Sequence, residues 1–302
     1  MAADAGGSEP QVSTAGAWFA VDELRPGVWQ IAEPGHVASF LVAGSARAAL
    51  IDTGMGVHPI RPVVEALTDR PVLVVNSHHH MDHVGGNHEF EEIAIHEAGA
   101  ARLAAGASLE IMPAYAEYAE RAVAAFGAYE DADRRFFHQL SDDRRLRPLP
   151  PGFSARTWSI PATRATQLLR DGDEIDLGGR ALRVIHAPGH SSDGIVLELA
   201  GEGVLFGGDT VNTGAVYLQT PDSDVAVYAD VMERLAARAG DWEIVTCCHW
   251  LVTVAGPQLL GAQARAARML LAGEVELVGA EDCLGHAVRE ARFDGFSLLV
   301  AA

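Results

Sequence analysis

A cluster of histidines occupies one short stretch of the sequence. His78, His79, His80 and His83 stand within six positions, with Asp82 among them. Imidazole rings crowded in this way are costly to protonate together, and such a cluster usually serves a metal ion. In a turn after a strand alternate residues face the same way, so His78 and His80 can share one ion. Asp82 and His83 fall on the next stretch and can reach a second ion, whereas His79 points away and is expected to have a supporting role.

Three further polar residues stand where apolar runs of the sequence end. His190, Asp209 and His249 each come shortly after such a run. Side chains that follow strand ends lie along one edge of a sheet, and a rigid edge of this kind can hold a metal site. Together with the cluster at 78–83, these residues supply five imidazoles and two carboxylates. That set matches two metal ions, each with about three protein ligands, and one shared carboxylate.

The surrounding sequence alternates between short apolar runs and longer helical patterns. Residues 18–51 contain four β-rich runs separated by turn residues, and residues 71–76 form a continuous apolar run typical of a buried strand. The β pattern resumes later in the chain, and helices are predicted at 225–239 and 257–272. A final strand is predicted at 292–300. This order predicts an α/β (α+β) fold in which a two-layer sheet core is covered by helices.

Between the two β-rich parts lies a long segment of different composition. Residues 97–143 are rich in Ala, Glu, Arg and aromatic residues and are predicted to be helical throughout, and a Pro-rich loop follows at 147–165. We therefore expect a helical insertion at about 97–165. It forms either a lid or aromatic substrate pocket over the metals, or a packing or dimerisation layer. Residues 1–16 are small and polar and are expected to be flexible, which leaves 17–302 as one domain.

These residues together resemble the metallo-β-lactamase superfamily. The His-x-His-x-Asp-His motif of that family stands here at residues 78–83. Its later elements are matched by His190 in APGHS, Asp209 in GGDT and His249 in CCHW, and its early aspartate is matched by Asp52 in IDTG. The resemblance extends over most of the chain. It implies a four-layer αββα sandwich, with the helical insertion added to it.

The resemblance also implies a ligand arrangement and a cofactor. The first metal is held by His78, His80 and His190, the second by Asp82, His83 and His249, and Asp209 bridges both. The implied cofactor is two divalent metal ions per chain, with zinc as the default and iron or manganese also fitting these ligands. A hydroxide that bridges the ions is the implied nucleophile. Asp82 is then the catalytic residue, because it both binds metal and orients that hydroxide.

The resemblance leaves the reaction open, because one fold hosts many activities. The bridging Asp209 is absent from true β-lactamases and favours the glyoxalase II, lactonase and thioesterase-like branches. The second ligand set favours two metals over one. We therefore expect an enzyme, a metal-dependent hydrolase of carboxylic esters, thioesters or lactones. A mononuclear iron dioxygenase on the same ligands, a β-lactamase-like amide hydrolase and a catalytically idle binding module are the alternatives.

Four residues are candidates for contacts with the substrate. His36 stands on a loop that faces the site in this family, and Tyr115 and Tyr118 belong to the helical insertion. Tyr217 is a further candidate for the pocket wall. The aromatic residues of the insertion predict a moderately apolar small-molecule substrate.

The overall composition argues against several classes of partner. The 302 residues carry a net charge of −19, whereas nucleic acids and anionic membranes require a basic face. Three cysteines are too few for a disulfide framework and suit a reducing compartment. The N-terminal sequence has no secretory pattern, and no apolar run is long enough to span a bilayer. We expect a cytoplasmic protein with a small-molecule substrate and no nucleic-acid or membrane partner, and the insertion leaves pairing as a homodimer open.

Overall fold

The computed structural model describes residues 18–107, 111–140, 144–250 and 252–302. The flexible segment expected at 1–16 lies outside these residues. Within them the chain forms two large sheets, a smaller third sheet and several helices. The α/β class expected from the sequence is confirmed.

The first sheet contains the N-terminal part of the chain. Its strands are β1 (Ala20–Arg25), β2 (Val28–Glu33), β3 (Val37–Ala43), β4 (Ala48–Ile51), β5 (Val72–Val75), β6 (Glu92–His96) and β7 (Gln167–Leu169), and they lie side by side in chain order. Neighbours from β1 to β4 are antiparallel, and neighbours from β4 to β7 are parallel. The β-rich runs of residues 18–51 are therefore the antiparallel strands, and the apolar run at 71–76 is the buried strand β5.

The second sheet faces the first. Its strands are β8 (Glu174–Asp176), β9 (Ala181–His186), β10 (Ile195–Leu199), β11 (Val204–Phe206), β13 (Ile244–Thr246) and β14 (Val254–Ala255), and their spatial order is β14-β13-β11-β10-β9-β8. Only the pair of β11 and β13 is parallel among these described neighbours. The ring of Phe40 on β3 lies 5.5 Å from that of Phe206 on β11. Both rings belong to one buried apolar cluster, so the two sheets share a core.

A third sheet near the C-terminus differs from the sequence prediction. It comprises β12 (Ala215–Leu218), β15 (Val278–Glu281), β16 (Ala287–Phe293) and β17 (Phe296–Ala301), in the order β12-β17-β16-β15. The final strand predicted at 292–300 is present as β17, but the first residues of that range belong to β16 and to the turn, because the chain reverses there and forms a hairpin. Gly295 has a φ of 79° in that turn, a conformation that glycine adopts without steric cost. Strand β17 then pairs with β12 in parallel.

Helices cover the two main sheets. They are α1 (Arg61–Leu67), α2 (Met81–Val84), α3 (Ala100–Ala105), α4 (Ile111–Ala132), α5 (Val225–Ala237) and α6 (Gln258–Ala272). The helices predicted at 225–239 and 257–272 are confirmed as α5 and α6. Tyr228 of α5 and Leu260 of α6 pack in one buried cluster with Leu205 of the second sheet. Among the described residues, none of these helices combines the length and apolar character needed to cross a membrane.

The insertion connects the parallel neighbours β6 and β7. It contains α3, α4 and a short π-helical turn at Asp133–Phe137. The prediction that 97–143 is helical throughout is wrong at Gly106, because its φ of 79° ends α3. The Pro-rich part at 147–165 contains no helix or strand, as expected.

A close contact between two loops positions the histidine cluster. Gly85, directly after α2, donates its N–H to the carbonyl oxygen of Gly54 at 2.8 Å. A Cβ added at Gly85 would lie 2.3 Å from both the nitrogen of Gly56 and the carbonyl carbon of Met55. Only glycine therefore allows the loop after β4 to pack directly on the end of α2.

We expect Gly85→Ala to destabilise the protein. The added methyl group meets backbone atoms that cannot rotate away, and overpacking of this kind costs about 1–3 kcal/mol. Gly127→Ala in α4 is the matched control, since a Cβ there meets nothing within 4 Å and alanine favours a helix by about 1 kcal/mol. Thermal unfolding measures both variants. Equal melting temperatures for the two would contradict the close contact at Gly85.

Candidate metal centre

The seven residues predicted as metal ligands all stand just beyond the ends of strands or in the helix that follows one. These positions come after β5, β9, β11 and β13, or within α2: His78, His80, Asp82, His83, His190, Asp209 and His249. Strands of both main sheets therefore contribute, and the loops that follow them converge. The side chains form two groups that share Asp209.

The first donor group consists of His78, His80 and His190. One ring nitrogen from each of these residues lies within 4.8 Å of the other two. The Nε2 atom of His190 lies 3.0 Å from the Nδ1 atom of His80. The Nε2 atom of His78 is buried and has no hydrogen-bond partner. Three imidazole nitrogens are thus directed at one point.

The second donor group consists of Asp82, His83 and His249, which also offer three atoms within 4.8 Å of one another. The Oδ2 atom of Asp82 lies 3.4 Å from Nε2 of His249 and 3.8 Å from Nε2 of His83. The Asp82 side chain is 22% exposed, whereas His83 is fully buried. His249 is 23% exposed, so solvent can reach Asp82 and His249 but not the ring of His83.

Asp209 lies between the two groups. Its Oδ2 atom is 3.1 Å from Nε2 of His249 and 3.6 Å from Nε2 of His190. Its Oδ1 atom is 3.4 Å from Nε2 of His83. One carboxylate thus touches a histidine of each group, as a bridging ligand does.

The donor set fits divalent cations. The buried Nε2 atoms of His78 and His83 and the buried Oδ1 atom of Asp209 lack hydrogen-bond partners, although buried polar atoms are normally paired. All three belong to the two donor groups or to the carboxylate between them. Nitrogen and carboxylate oxygen ligands of this kind suit zinc and related metals. The structure therefore supplies a chemical reason for metal binding that does not depend on the sequence motif.

Asp52 orients two of the histidines, one directly and one through Ser77. Its Oδ2 atom lies 2.8 Å from Nδ1 of His83, and its two oxygens accept the N–H and the O–H of Ser77, each at 2.7 Å. Because the Ser77 hydroxyl donates to Asp52, it accepts from the Nδ1–H of His78 at 3.0 Å. Both histidines therefore carry their proton on Nδ1 and direct the Nε2 lone pair into the centre.

Two backbone carbonyl groups orient the remaining histidines. The Nδ1 atom of His190 lies 2.7 Å from the carbonyl oxygen of Tyr217. The Nδ1 atom of His249 lies 2.9 Å from the carbonyl oxygen of His36. These contacts require Nδ1–H and leave Nε2 of each ring free to bind a metal. Neither contact is visible in the sequence, because any residue type can supply a carbonyl oxygen.

The protonation of the first donor group is set by burial. Desolvation lowers the pKa of His80 to about 3, and the neighbouring His190 adds to this shift. Desolvation also lowers the pKa of His78 well below its usual value, with the crowded His83 contributing in the same direction. These rings stay neutral near pH 7, which is the form that binds metal.

In the second donor group, neighbouring carboxylates raise the pKa values of the histidines. Desolvation opposes protonation of His249, but the charge of Asp209 outweighs it and raises the pKa to about 9. The pKa of His83 is raised well above its usual value for the same reason, with Asp82 and Asp52 adding to the effect. The anions around these rings favour positive charge, which a bound cation supplies in place of protons.

Two of the four substrate-contact candidates contact each other. The Nδ1 atom of His36 lies 2.8 Å from the hydroxyl of Tyr115, and its Nε2 atom lies 2.9 Å from the carbonyl oxygen of Arg147. Both side chains are buried. The ring of His36 is therefore fully engaged with protein, and its carbonyl oxygen rather than its ring reaches the centre. Substrate contact by these residues stays a prediction.

The other two candidates lie near the C-terminal sheet. The ring of Tyr118 is 5.8 Å from that of Tyr115. The hydroxyl of Tyr217 accepts the N–H of Cys283 at 3.2 Å. The turn between β15 and β16 thus contacts β12, and the sequence does not reveal this contact because it joins distant parts of the chain.

Comparisons with known proteins agree with this geometry. A family model described as the metallo-beta-lactamase superfamily matches residues 32–246. The chain is 34% identical over 232 residues to the acyl-coenzyme A thioesterase MBLAC2 of Gallus gallus, which covers 72% of this chain and 75% of that protein. It is 32% identical over 157 residues to a hydroxyacylglutathione hydrolase of Gloeobacter violaceus, over 51% of this chain and 41% of that one.

Solved structures show the same fold. A metallo-beta-lactamase from Pontibacter korlensis superposes with a TM-score of 0.57 at 18% identity, over 83% of this chain and 99% of the other. At this identity the likeness concerns the arrangement of sheets and helices. The αββα sandwich implied by the sequence is therefore confirmed.

A buried acid lies beside the centre. Glu33 is 2% exposed and accepts the indole N–H of Trp18 at 2.8 Å and the N–H of Met55 at 2.9 Å. It thereby fastens the loop after β4, the loop that begins with Asp52. Burial raises the pKa of Glu33 from 4.5 to about 8, against the two hydrogen bonds, which lower it.

We expect His190→Ala and Asp209→Ala each to lower metal content and abolish activity while the fold persists. The wild-type chain should hold about two divalent ions, and each substitution removes a donor that neighbouring side chains do not replace. Elemental analysis of protein purified without a His-tag measures the ions, and circular dichroism checks the fold. His88→Ala is the control, because this exposed histidine belongs to neither donor group. Wild-type metal content in both variants would contradict the assignment.

We expect the wild-type protein to lose stability relative to Glu33→Gln as the pH rises from about 5 to about 8. The folded-state pKa is raised, so the stability contributed by the protonated carboxyl is complete below 4.5 and is lost as the pH passes about 8. The loss should amount to a few kcal/mol, at about 1.4 kcal/mol for each pKa unit. Chemical unfolding of metal-loaded protein at several pH values measures it. The quantity to compare is the slope of unfolding free energy against pH, because the glutamine amide also faces the two N–H donors and can change the stability at every pH. Parallel slopes for the two proteins would refute the expectation.

Proposed function

The chain belongs to the metallo-β-lactamase superfamily and is a hydrolase of that family, and from this premise we propose that it hydrolyses acyl thioesters at a two-metal centre. The observation that carries the proposal is the pair of donor groups joined by Asp209. Each group offers three ligand atoms within 4.8 Å of one another. The proposed substrate class is the coenzyme A thioester, which the name of the Gallus gallus relative contains.

The proposed metals are two zinc ions. The first donor group would hold one and the second would hold the other, with Asp209 between them. Bound there, the ions would supply the Lewis acidity that polarises the thioester carbonyl and makes water nucleophilic near neutral pH. The neutral rings of His78 and His80 favour occupation of the first group at pH 7.

Asp82 is the residue that we propose for proton handling. Its carboxylate is partly exposed while the neighbouring His83 is buried, so it can meet a water molecule that enters from the pocket. An aspartate that accepts a hydrogen bond from the attacking water orients it and takes up its proton. The contact of Asp82 with His249, at 3.4 Å, keeps the carboxylate at the centre while it does so.

The chemistry of the leaving group supports a thioester. A thiolate is a weakly basic leaving group, because thiols have a pKa of about 8.5, so it can depart without a dedicated proton donor. Four histidines of the two donor groups use Nδ1 for a contact with another protein group and direct the Nε2 lone pair into the centre: His78, His83, His190 and His249. They therefore suit metal binding better than delivery of a proton to an amine, which amide hydrolysis requires.

A mononuclear iron dioxygenase is the second candidate on the same ligands. It needs one donor group, whereas the second group here is complete and is joined to the first by a buried carboxylate. A β-lactamase-like amide hydrolase is the third candidate. The substrate screen below separates all three.

We expect zinc-loaded protein to hydrolyse acyl-coenzyme A and S-acyl-N-acetylcysteamine faster than the matched oxygen ester, lactone or β-lactam. A chelator should abolish the activity, and zinc should restore it. Asp82→Asn should lower kcat at least about a hundredfold, because proton transfer by a positioned side chain contributes that much. Release of the free thiol, followed with a thiol reagent, measures the rate.

Asp69→Asn is the matched control, since it makes the same change at a side chain that is 89% exposed. It should turn over at the wild-type rate. Preferred cleavage of a β-lactam, or oxygen consumption by iron-loaded protein without thioester cleavage, would overturn the proposal. Full activity in Asp82→Asn would show that Asp82 does not accept the proton of the attacking water.

A further inference from the structure

One of the candidate histidine ligands lacks an outer hydrogen bond to the protein. His78, His83, His190 and His249 each use Nδ1 for such a contact, and a partner of this kind fixes the orientation of a metal-binding ring. The ring of His80 instead presents Nδ1 to the centre, 3.0 Å from Nε2 of His190. Within the described parts of the chain no protein group hydrogen-bonds its outer nitrogen, so the protein must position this ring in another way.

The neighbouring His79 packs against the ring of His80. The two ring centroids lie 4.8 Å apart and the ring planes meet at 67°, so one ring contacts the other edge-on. His79 also stands between the ligands His78 and His80 in the chain. A side chain that is fixed at this position therefore restrains both the backbone and the ring of His80.

A buried carboxyl group fixes His79. The Nδ1 atom of His79 lies 2.8 Å from Oδ1 of Asp193, and the side chain of Asp193 is wholly buried. The Oδ2 atom of Asp193 has no hydrogen-bond partner, so the contact with His79 is the hydrogen bond that this carboxyl group makes among the described residues. Burial of a carboxyl group with so few partners costs stability, which favours a role in positioning over one in stabilising the fold.

The pair joins the two loops that carry the first donor group. His79 lies in the loop after β5 together with His78 and His80, and Asp193 lies in the loop after β9 together with His190. The hydrogen bond between His79 and Asp193 therefore holds one loop against the other. It thereby helps to set the separation of His80 and His190.

The first part of the insertion covers this pair. A Cβ added at Gly99, directly before α3, would lie 2.1 Å from Oδ2 of Asp193, so the backbone packs directly on the carboxyl group. Arg102 of α3 forms an ion pair with Asp222, so Asp222, which lies close to His79, has its own counter-charge. Water is thus excluded from Asp193, and a hydrogen bond in such surroundings is electrostatically stronger than one in water.

We propose that His79, held by Asp193, is a positioning residue for the metal ligand His80. The contact sets the direction in which Nδ1 of His80 faces the first metal, and His79 acts through His80 without being a ligand itself. This inference rests on the metal centre of the function proposed above. It gives a task to the residue between two ligands, and it assigns the buried Asp193 to the same task.

Two substitutions at His79 separate the hydrogen bond from the ring. His79→Phe keeps a ring beside His80 but cannot donate to Asp193, whereas His79→Asn offers an amide N–H in place of the Nδ1–H and can keep that hydrogen bond. We expect His79→Phe to weaken zinc binding about ten- to hundredfold, as the loss of an outer contact of a metal site does. His79→Asn should retain most of the wild-type affinity. Competition with a chromophoric zinc chelator measures the dissociation constants.

The visible absorption spectrum of cobalt-loaded protein reports the ligand geometry. His79→Phe should change the bands of the first cobalt ion bound, and His79→Asn should leave them close to those of the wild type. His286→Phe is the matched control, because Nδ1 of His286 makes the same kind of contact with a carboxyl group, that of Asp282, at an exposed position outside both donor groups. This control should leave zinc affinity and spectrum unchanged, and circular dichroism checks the fold of every variant.

The outcomes distinguish failure of this inference from failure of the proposed function. Thioester hydrolysis with the same zinc affinity and cobalt spectrum in wild type and His79→Phe would overturn the inference alone. Equal losses in His79→Phe and His79→Asn would also overturn it, because the hydrogen bond to Asp193 would then have no part in positioning. Zinc binding that depends on His79 in this way, in a protein that cleaves no thioester, would overturn the proposed function alone.

Discussion

The candidate centre depends on one buried carboxylate, that of Asp52. It accepts two hydrogen bonds from Ser77 and contacts Nδ1 of His83 at 2.8 Å. Through the Ser77 hydroxyl it also orients His78. One anion therefore fixes a nitrogen in each donor group. A buried carboxylate requires such donors, since desolvation is costly without them, so the loops after β4 and β5 must meet in this register.

The other histidines depend on backbone atoms of distant segments. His249 is oriented by the turn between β2 and β3, and His190 by Tyr217 on β12. Strand β12 is itself paired with β17 at the C-terminal end of the chain. The third sheet thus contributes to the geometry of the first donor group, although it supplies none of the seven candidate ligands. Cooperation between distant segments explains why the centre forms only in the folded chain.

The sequence predicted the candidate ligands and the main sheets because both leave restrictive patterns. Few residue types bind metals, and the spacing of His78, His80 and His83 after an apolar run limits where they can lie. The carbonyl oxygens of Tyr217 and His36 leave no such pattern, since every residue has one. The third sheet was missed for a related reason. Its strand β12 pairs in parallel with β17, about eighty residues later, and no local pattern reports so distant a pairing.

The break in the helical insertion at Gly106 was missed for a local reason rather than a distant one. A positive φ is available to glycine at little cost, but a sequence rich in alanine hides a single break of this kind. Arg147 shows a further limit. Seven arginines in residues 134–164 were visible in the sequence, yet only the structure shows that the Nε and Nη2 atoms of this one are buried without a hydrogen-bond partner.

The insertion begins and ends on neighbouring strands. Ala94 of β6 pairs with Gln167 of β7, and His96 pairs with Leu169. The two ends of the insertion are therefore held together by the sheet, whatever the length of chain between them. The length and sequence of the insertion can therefore change in evolution without moving the strands that precede the candidate metal ligands. The sheet thus separates the part of the chain whose length can vary from the strands that precede the candidate metal ligands.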